Sequence, residues 1–174
     1  MYGCKINRIK RGIDMIRRDR EVTDFKEIVE MLDGFDVVRI GLAGDEYPYV
    51  VPMSFGYDII DGKIAIYLHG AKIGKKVDLI EKSKKVCVEA DEFIRYEEQS
   101  NGITTRYKSI IGYGEIEELV KDEDKVYSLN AACTHCGYAK YDSSVCKSLK
   151  NTRCFRIILD EVTGKKNLRK VDAL

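Results

Sequence analysis

The segment YPYVVPMSFGY, residues 47–57, places Tyr47, Tyr49, Val51, Met53, Phe55 and Tyr57 at every second position. A period of two puts these side chains on one face of an extended strand, with Pro48, Val50, Pro52, Ser54 and Gly56 on the other. Asp61-Gly62 follows, and a second apolar run leads from Ile64 to His69. Asp-Gly between two such runs predicts a tight hairpin, because glycine accepts the positive φ that a primed turn requires. The second strand is expected to end at His69. Gly70-Ala71-Lys72-Ile73-Gly74 then leads into a helix opening with Lys75-Lys76. Small residues before a helix start leave backbone N–H groups facing an anion, and paired ammonium groups complete its neutralisation. A lone Lys-Lys pair is ordinarily a solvated face. The glycine-rich turn and the helix start make this one a phosphate-site candidate.

Around this stretch the chain reads as strands with interleaved helices and no regular βαβ alternation. Asp24, with Glu27 three residues on, resembles a capping box, and Phe25, Ile28, Val29 and Leu32 recur at helical spacing. Val37, Val38, Ile40 and Leu42 start a strand, and Gly44-Asp45-Glu46 turns it back. Val86, Val88 and Ala90 alternate as another strand, and the polar residues 92–103 predict a loop. A long strand is expected from Thr104 to Val120, with Gly112 and Gly114 marking a bulge or a close approach. Asp122 to about Ala132 reads as a helix, 133–150 as helix and loop, and Arg153 to Thr163 as a last strand closed by Gly164-Lys165-Lys166. Short strands and hairpin turns favour a closed or nearly closed antiparallel barrel. Residues 1–14 are expected to be a flexible extension, and residues 15–174 a single domain.

Composition narrows the function. The 30 lysines and arginines against 29 acidic residues give a net charge of +1, so no global field favours nucleic acid or an anionic membrane. No apolar run approaches the ~18–20 residues that span a bilayer, and the first residues, MYGCKINRIKRG, lack a secretory apolar stretch. The cytoplasm is the expected location. The six cysteines are therefore expected reduced, with Cys87 and Cys154 as strand filler. Cys133-Thr-His135-Cys136 has metal-like spacing but lacks a second Cys-x-x-Cys, so no metal site is expected, and the role of the segment stays open.

Four stretches together carry a family resemblance: VPMSFGY at Val51–Tyr57, YLHGA at Tyr67–Ala71, GKK at Gly74–Lys76 and YKSIIGYG at Tyr107–Gly114. The chain resembles the pyridoxamine 5′-phosphate oxidase-related flavoproteins, most of all the nitroimidazole-resistance proteins among them. The segments Arg17–Asp24 and Asp160–Lys165 fit the same subgroup. The resemblance implies a mainly β fold with flanking helices: an antiparallel, Greek-key split β-barrel that binds FMN in clefts between the subunits of a homodimer. It assigns Val51, Pro52, Met53 and Ser54 to the flavin ring, and His69, Gly70 and Ala71 to the ring and ribityl chain. Lys75 and Lys76 are assigned to the phosphate, and Lys108 and Ser109 reach the site from another strand. Absence of tryptophan, and a short charged tail from Lys165 to Leu174, speak against oxidation of the vitamin B6 phosphate itself.

The expected activity is FMN-dependent reduction of a small acceptor, such as a nitroaromatic one, with electrons from NAD(P)H. A flavin- or haem-binding protein without turnover is the alternative, and redox sensing through Cys133 and Cys136 is a third reading. His69 is the candidate catalytic residue, because an imidazole beside the flavin can give a proton to a bound acceptor. Its other reading is a strand-end side chain held by nearby backbone.

Overall fold

The computed structural model describes residues 15–139 and 142–169; the expected extension 1–14 and the end of the charged tail lie outside the described residues. Among the described residues, eight strands form one antiparallel sheet. In chain order they are β1 Glu21–Val22, β2 Val38–Leu42, β3 Tyr49–Met53, β4 Gly56–Ile60, β5 Lys63–Ala71, β6 Lys85–Gln99, β7 Gly102–Leu119 and β8 Thr152–Asn167. Helix α1 spans Phe25–Asp33, α2 Lys75–Lys82 and α3 Asp122–His135. The spatial order is β3-β2-β6-β7-β8-β5-β4, with β1 added to β8. This is a split barrel, mainly β with flanking helices. Its two end strands, β3 and β4, are consecutive in the chain.

That topology corrects the reading of residues 47–57 as one strand. The chain breaks at Ser54-Phe55 because β3 pairs with β2 and β4 pairs with β5, at opposite ends of the sheet. Phe55 turns fully inward at the crossing. Pro52 is tolerated because β3 is an edge strand with a ladder on one side only. The hairpin formed by β4 and β5 closes as expected, with Ile60 opposite Lys63 and positive φ at both Asp61 (50°) and Gly62 (76°).

Three other boundaries differ. Residues 92–103 are no loop: β6 runs to Gln99 and β7 starts at Gly102. Their polarity reflects a two-stranded ribbon that extends beyond the apolar core and is tied by the largely buried Arg106–Glu97 pair at 2.8 Å. Gly70 and Ala71 continue β5 opposite Arg153 and Thr152 rather than turning. Gly164-Lys165-Lys166 lies inside β8, because β1 and β7 flank it on both sides. The bulge at Gly112–Gly114 is present, as a register shift between Tyr113 and Gly114. Asp24 caps α1, accepting the Glu27 N–H at 2.9 Å, while the Glu27 carboxylate pairs with Lys166 rather than closing a capping box.

Alternation along β5 separates two cores. Ile64, Ile66 and Leu68 enter the barrel interior with Leu32, Phe55, Val88, Ile110, Phe155 and Ile157. Ala65 and Tyr67 face outward with Cys154 and Leu119, under α3. α3 lies so close to β4 that a Cβ on Gly56 would sit 2.3 Å from the Ala132 nitrogen and 2.4 Å from the Ala131 carbonyl carbon. Backbone cannot yield as a side-chain tip can. Gly56→Ala is therefore expected to destabilise the fold by roughly 1–3 kcal/mol or more, lowering the melting temperature by about 2–4 °C per kcal/mol. An unchanged melting curve would contradict this packing of α3.

Candidate functional site

The start of α2, the end of β5 and the edge strand β3 converge at one place. Gly74 enters the helix at φ 134°, a conformation that favours glycine, and brings no capping side chain to the first turn. Lys76 is half-buried there. Its Nζ lies 3.4 Å from the Met53 sulfur, a weak acceptor, and among the described residues no carboxylate pairs with it. Burial holds its pKa below the ordinary lysine value. Gly70 makes the room: a Cβ there would lie 2.7 Å from Nζ. Lys75 is exposed, with Nζ 5.0 Å from the centre of the Tyr49 ring. The result is a cation without a counter-ion beside an uncapped helix start, which suits a dianion.

Along β3, Val51 and Met53 pack inward against the barrel core, while Pro52 and Ser54 face solvent. Among the described residues, the outer edge of β3 leaves backbone groups on one side without a strand partner. Met53, Gly70, Lys75 and Lys76 are thus brought together, with Val51, Pro52, Ser54, His69 and Ala71 beside them.

His69 needs finer placement. It shares the outward face of Ala65, Tyr67 and its register partner Cys154, whereas Gly70 and the Lys76 head lie on the inward side of β5. Its edge reaches solvent, yet surrounding protein displaces enough water to lower the imidazole pKa, and the Lys76 charge lowers it further. The ring is therefore biased toward its neutral form.

Lys108 and Ser109 are not brought to this place within the chain. Leu119 on β7 stands opposite Cys154, hence level with His69, and Lys108 lies eleven residues away along β7, about 35 Å of strand at ~3.3 Å per residue. Lys108 pairs instead with Glu92 at 3.3 Å. Sequence reasoning also missed Arg153, opposite Gly70, whose ion pairs reach α2 and β7. Its partners, Glu81 and Glu118, are too distant in sequence to leave a local signal.

The Cys133–Cys136 segment is accounted for by packing. His135 bonds the Phe35 carbonyl at 2.7 Å, so that ring nitrogen donates, and the ring centre lies 4.2 Å from that of Phe55, tilted by 44°. Both cysteines sit at the C-terminal end of α3. Among the described residues no three His, Cys, Asp or Glu side chains are grouped to hold a metal ion. Cys87 and Cys154 occupy strands, as expected, and their thiols are pushed up by burial. A cleft of about 670 Å³ between β4 and α3 is lined by groups committed to one another: Tyr57 donates to Asp33 at 3.0 Å, and Tyr127 to Asp58. Among the described residues, no helix is long and apolar enough to cross a membrane.

The family model described as pyridoxamine 5′-phosphate oxidase matches residues 24–166. The chain belongs to this family. No curated protein matches it. Solved structures of similar fold include a candidate 5-nitroimidazole antibiotic resistance protein from Bacteroides thetaiotaomicron. That one is 26% identical, at a TM-score of 0.73, over 83% of this chain and 85% of the other. A FAD-binding protein from Mesorhizobium loti is 22% identical, at a TM-score of 0.63, over 86% and 98%. A FAD- and haem-binding protein from Mycobacterium smegmatis is 19% identical, at a TM-score of 0.70, over 88% and 78%. These last two share the fold. The family's barrel thus carries, in this chain, a half-buried lysine with no acidic partner among the described residues at its open end.

The imidazole of His69 is expected to titrate below its ordinary value, and Lys76→Met is expected to raise it. Histidine NMR across pH 5–8 checks both. Because folding depresses this pKa, the stability it contributes is present above the ordinary histidine value and is lost as pH falls through the depressed one. An imidazole indifferent to Lys76→Met would remove the ammonium from its surroundings.

Proposed function

We propose that this family member is an FMN-dependent oxidoreductase that reduces a small acceptor, a nitroaromatic being the leading class, with electrons from NAD(P)H. One observation carries the reading: Lys76 holds an unmatched charge over Gly70, at the uncapped start of α2. A phosphate monoester dianion matches that charge and the helix dipole. FMN ends in such a group. Lys75 and Lys76 would hold the phosphate, and Gly70 and Ala71 the adjoining chain. Val51, Pro52, Met53 and Ser54 on the edge strand would meet the ring with backbone groups and apolar walls. The flavin, when bound, supplies the electron transfer. His69, biased toward its neutral form, would hold a hydrogen bond to the acceptor from the outward side of β5. The nitroaromatic class follows the description of the Bacteroides thetaiotaomicron structure. The exposed imidazole also favours a second reading, a flavin- or haem-binding protein without turnover, in line with the Mycobacterium smegmatis protein.

The purified protein is expected to show a flavin spectrum that bleaches on adding NADH or NADPH and recovers with a nitroaromatic acceptor. A haem spectrum, or a flavin that neither donor reduces, would favour the second reading. Replacing Lys75 and Lys76 together by Ala is expected to weaken FMN by about 10²-fold while leaving riboflavin nearly unchanged, since charge-assisted bonds contribute about 1.5–3 kcal/mol each. Equal losses for both ligands would remove the lysines from the phosphate site.

We also propose a homodimer through the outer face of β3, β2, β6 and β7. Register aligns Val50, Gly41, Cys87 and Tyr113 in one row, and Pro52, Arg39, Glu89 and Ile111 in the next. Val50 is 56% exposed and Tyr113 40%, an apolar strip on the half of the barrel that α3 does not cover. Ser109 lies on the same face, so a two-fold pairing gives it a route to a site that its own chain does not form. Sedimentation is expected to show a dimer in which Cys87 resists thiol labelling. A monomer carrying one flavin per chain would overturn the arrangement.

A further inference from the structure

Arg153 ties the far end of α2 to the sheet. It stands on β8 directly opposite Gly70. Its Nε and Nη2 donate to the two oxygens of Glu118 on β7, at 2.8 and 2.5 Å, and Nη1 donates to Glu81 on α2 at 2.9 Å. The guanidinium lies 5.5 Å from the centre of the buried Phe155 ring. A planar fork can serve two carboxylates at fixed angles, which a lysine ammonium cannot. The two acids hold the guanidinium pKa above its ordinary value, so the charge is permanent.

The element so held is short. α2 has eight residues, Lys75–Lys82, and a helix of that length owes its place to tertiary contacts. Val77, Leu79 and Ile80 bury its apolar side, but apolar packing is non-directional and tolerates a small roll. The other ion pair near its end, Lys82–Asp45, is exposed on both sides and constrains little. At the opposite end of the same two turns stand Lys75 and Lys76. A small roll of α2 would carry the Lys76 ammonium off Gly70 and away from Met53.

We propose that Arg153 is a positioning residue for the anion site: by bridging Glu81 and Glu118 it sets the roll of α2 that holds the Lys76 ammonium over Gly70. This rests on the phosphate reading given above. The Arg153 guanidinium is engaged by Glu81 and Glu118, so its proposed effect on the anion runs through the placement of Lys76.

The experiment measures FMN and riboflavin affinities, by fluorescence quenching, for the wild-type chain, Arg153→Met, Arg153→Lys and Glu81→Gln, and for Lys76→Met with and without Arg153→Met. The expected result is a wild-type preference for FMN that falls about tenfold in Arg153→Met and Glu81→Gln, with riboflavin unchanged and no rescue by Arg153→Lys. In the Lys76→Met background, adding Arg153→Met is expected to leave the remaining preference unchanged. Glu81→Gln leaves the Arg153–Glu118 pair in place, so it decides the matter if Arg153→Met fails to fold. A wild-type chain without preference for FMN would defeat the phosphate reading, and this proposal with it. A wild-type preference that persists in folded Glu81→Gln would overturn the proposal alone. So would a loss from Arg153→Met that is equally large without Lys76.

Discussion

Everything in this barrel depends on how the chain crosses its own opening. β3 and β4 are neighbours in sequence and lie at the two ends of the sheet, so two residues, Ser54 and Phe55, must carry the backbone across. The crossing is held by apolar contact. Phe55 is fully buried in the barrel core and its ring packs against His135, while the next residue, Gly56, lets the backbone of α3 approach directly. His135 completes the tie by bonding the Phe35 carbonyl, which joins the end of α3 to the segment after α1. Removing the Phe55 ring would open a large void; a buried Phe→Ala change costs about 3–5 kcal/mol, a large fraction of the ~5–15 kcal/mol that holds a domain together. The split leaves β3 as a free edge on one side, and that edge lies beside the start of α2. The opening in the sheet and the candidate site are the same place.

At that place the fold tolerates an electrostatic cost. A half-buried ammonium whose one partner among the described residues is a thioether loses hydration without recovering it. Several other described cations are matched: Arg106 with Glu97, Arg153 with Glu118 and Glu81, Lys63 with Asp160. Lys76 differs from these in that its half-buried head lies over Gly70 with a thioether beside it. Its lowered pKa is the same cost expressed as a proton equilibrium, and an anion bound there would reverse it.

Much of the local structure was legible in the sequence because it rests on local rules. Asp61-Gly62 demanded a primed turn and made one; Asp24 capped α1; the period of two set which side chains of β3 and β5 face the core. Errors arose where a distant partner overrode the local signal. The polar ribbon 92–103 looked like a loop because neither face meets a core, and only pairing between β6 and β7 makes it strand. Gly70-Ala71 looked like a turn because small residues usually make one, whereas here β8 pairs with them and Lys76 needs the space. Of the site, the lysines and the glycine could be read from spacing. The Met53 contact and the Arg153 bridge could not, since they join segments brought together by the barrel alone.

The placement of His69 and Lys76 on opposite sides of β5 limits what can engage both. Successive residues of a strand point to opposite faces, so no small anion bound over Gly70 can also lie against the His69 ring without passing the end of the strand. β5 ends two residues later, at Ala71. A ligand that reaches both must therefore be long, carry its charge at one end, and bend around that strand end. Inorganic phosphate satisfies the charge and fails the reach. A flat ring joined to a phosphate by a flexible chain satisfies both, and it would put the ring, not the phosphate, within reach of the imidazole. The two groups are also linked electrically: burial lowers the His69 pKa, and the Lys76 charge lowers it further. Neutralising that ammonium with a bound anion should then release the imidazole toward its ordinary value, coupling the anion at one face of β5 to the proton at the other.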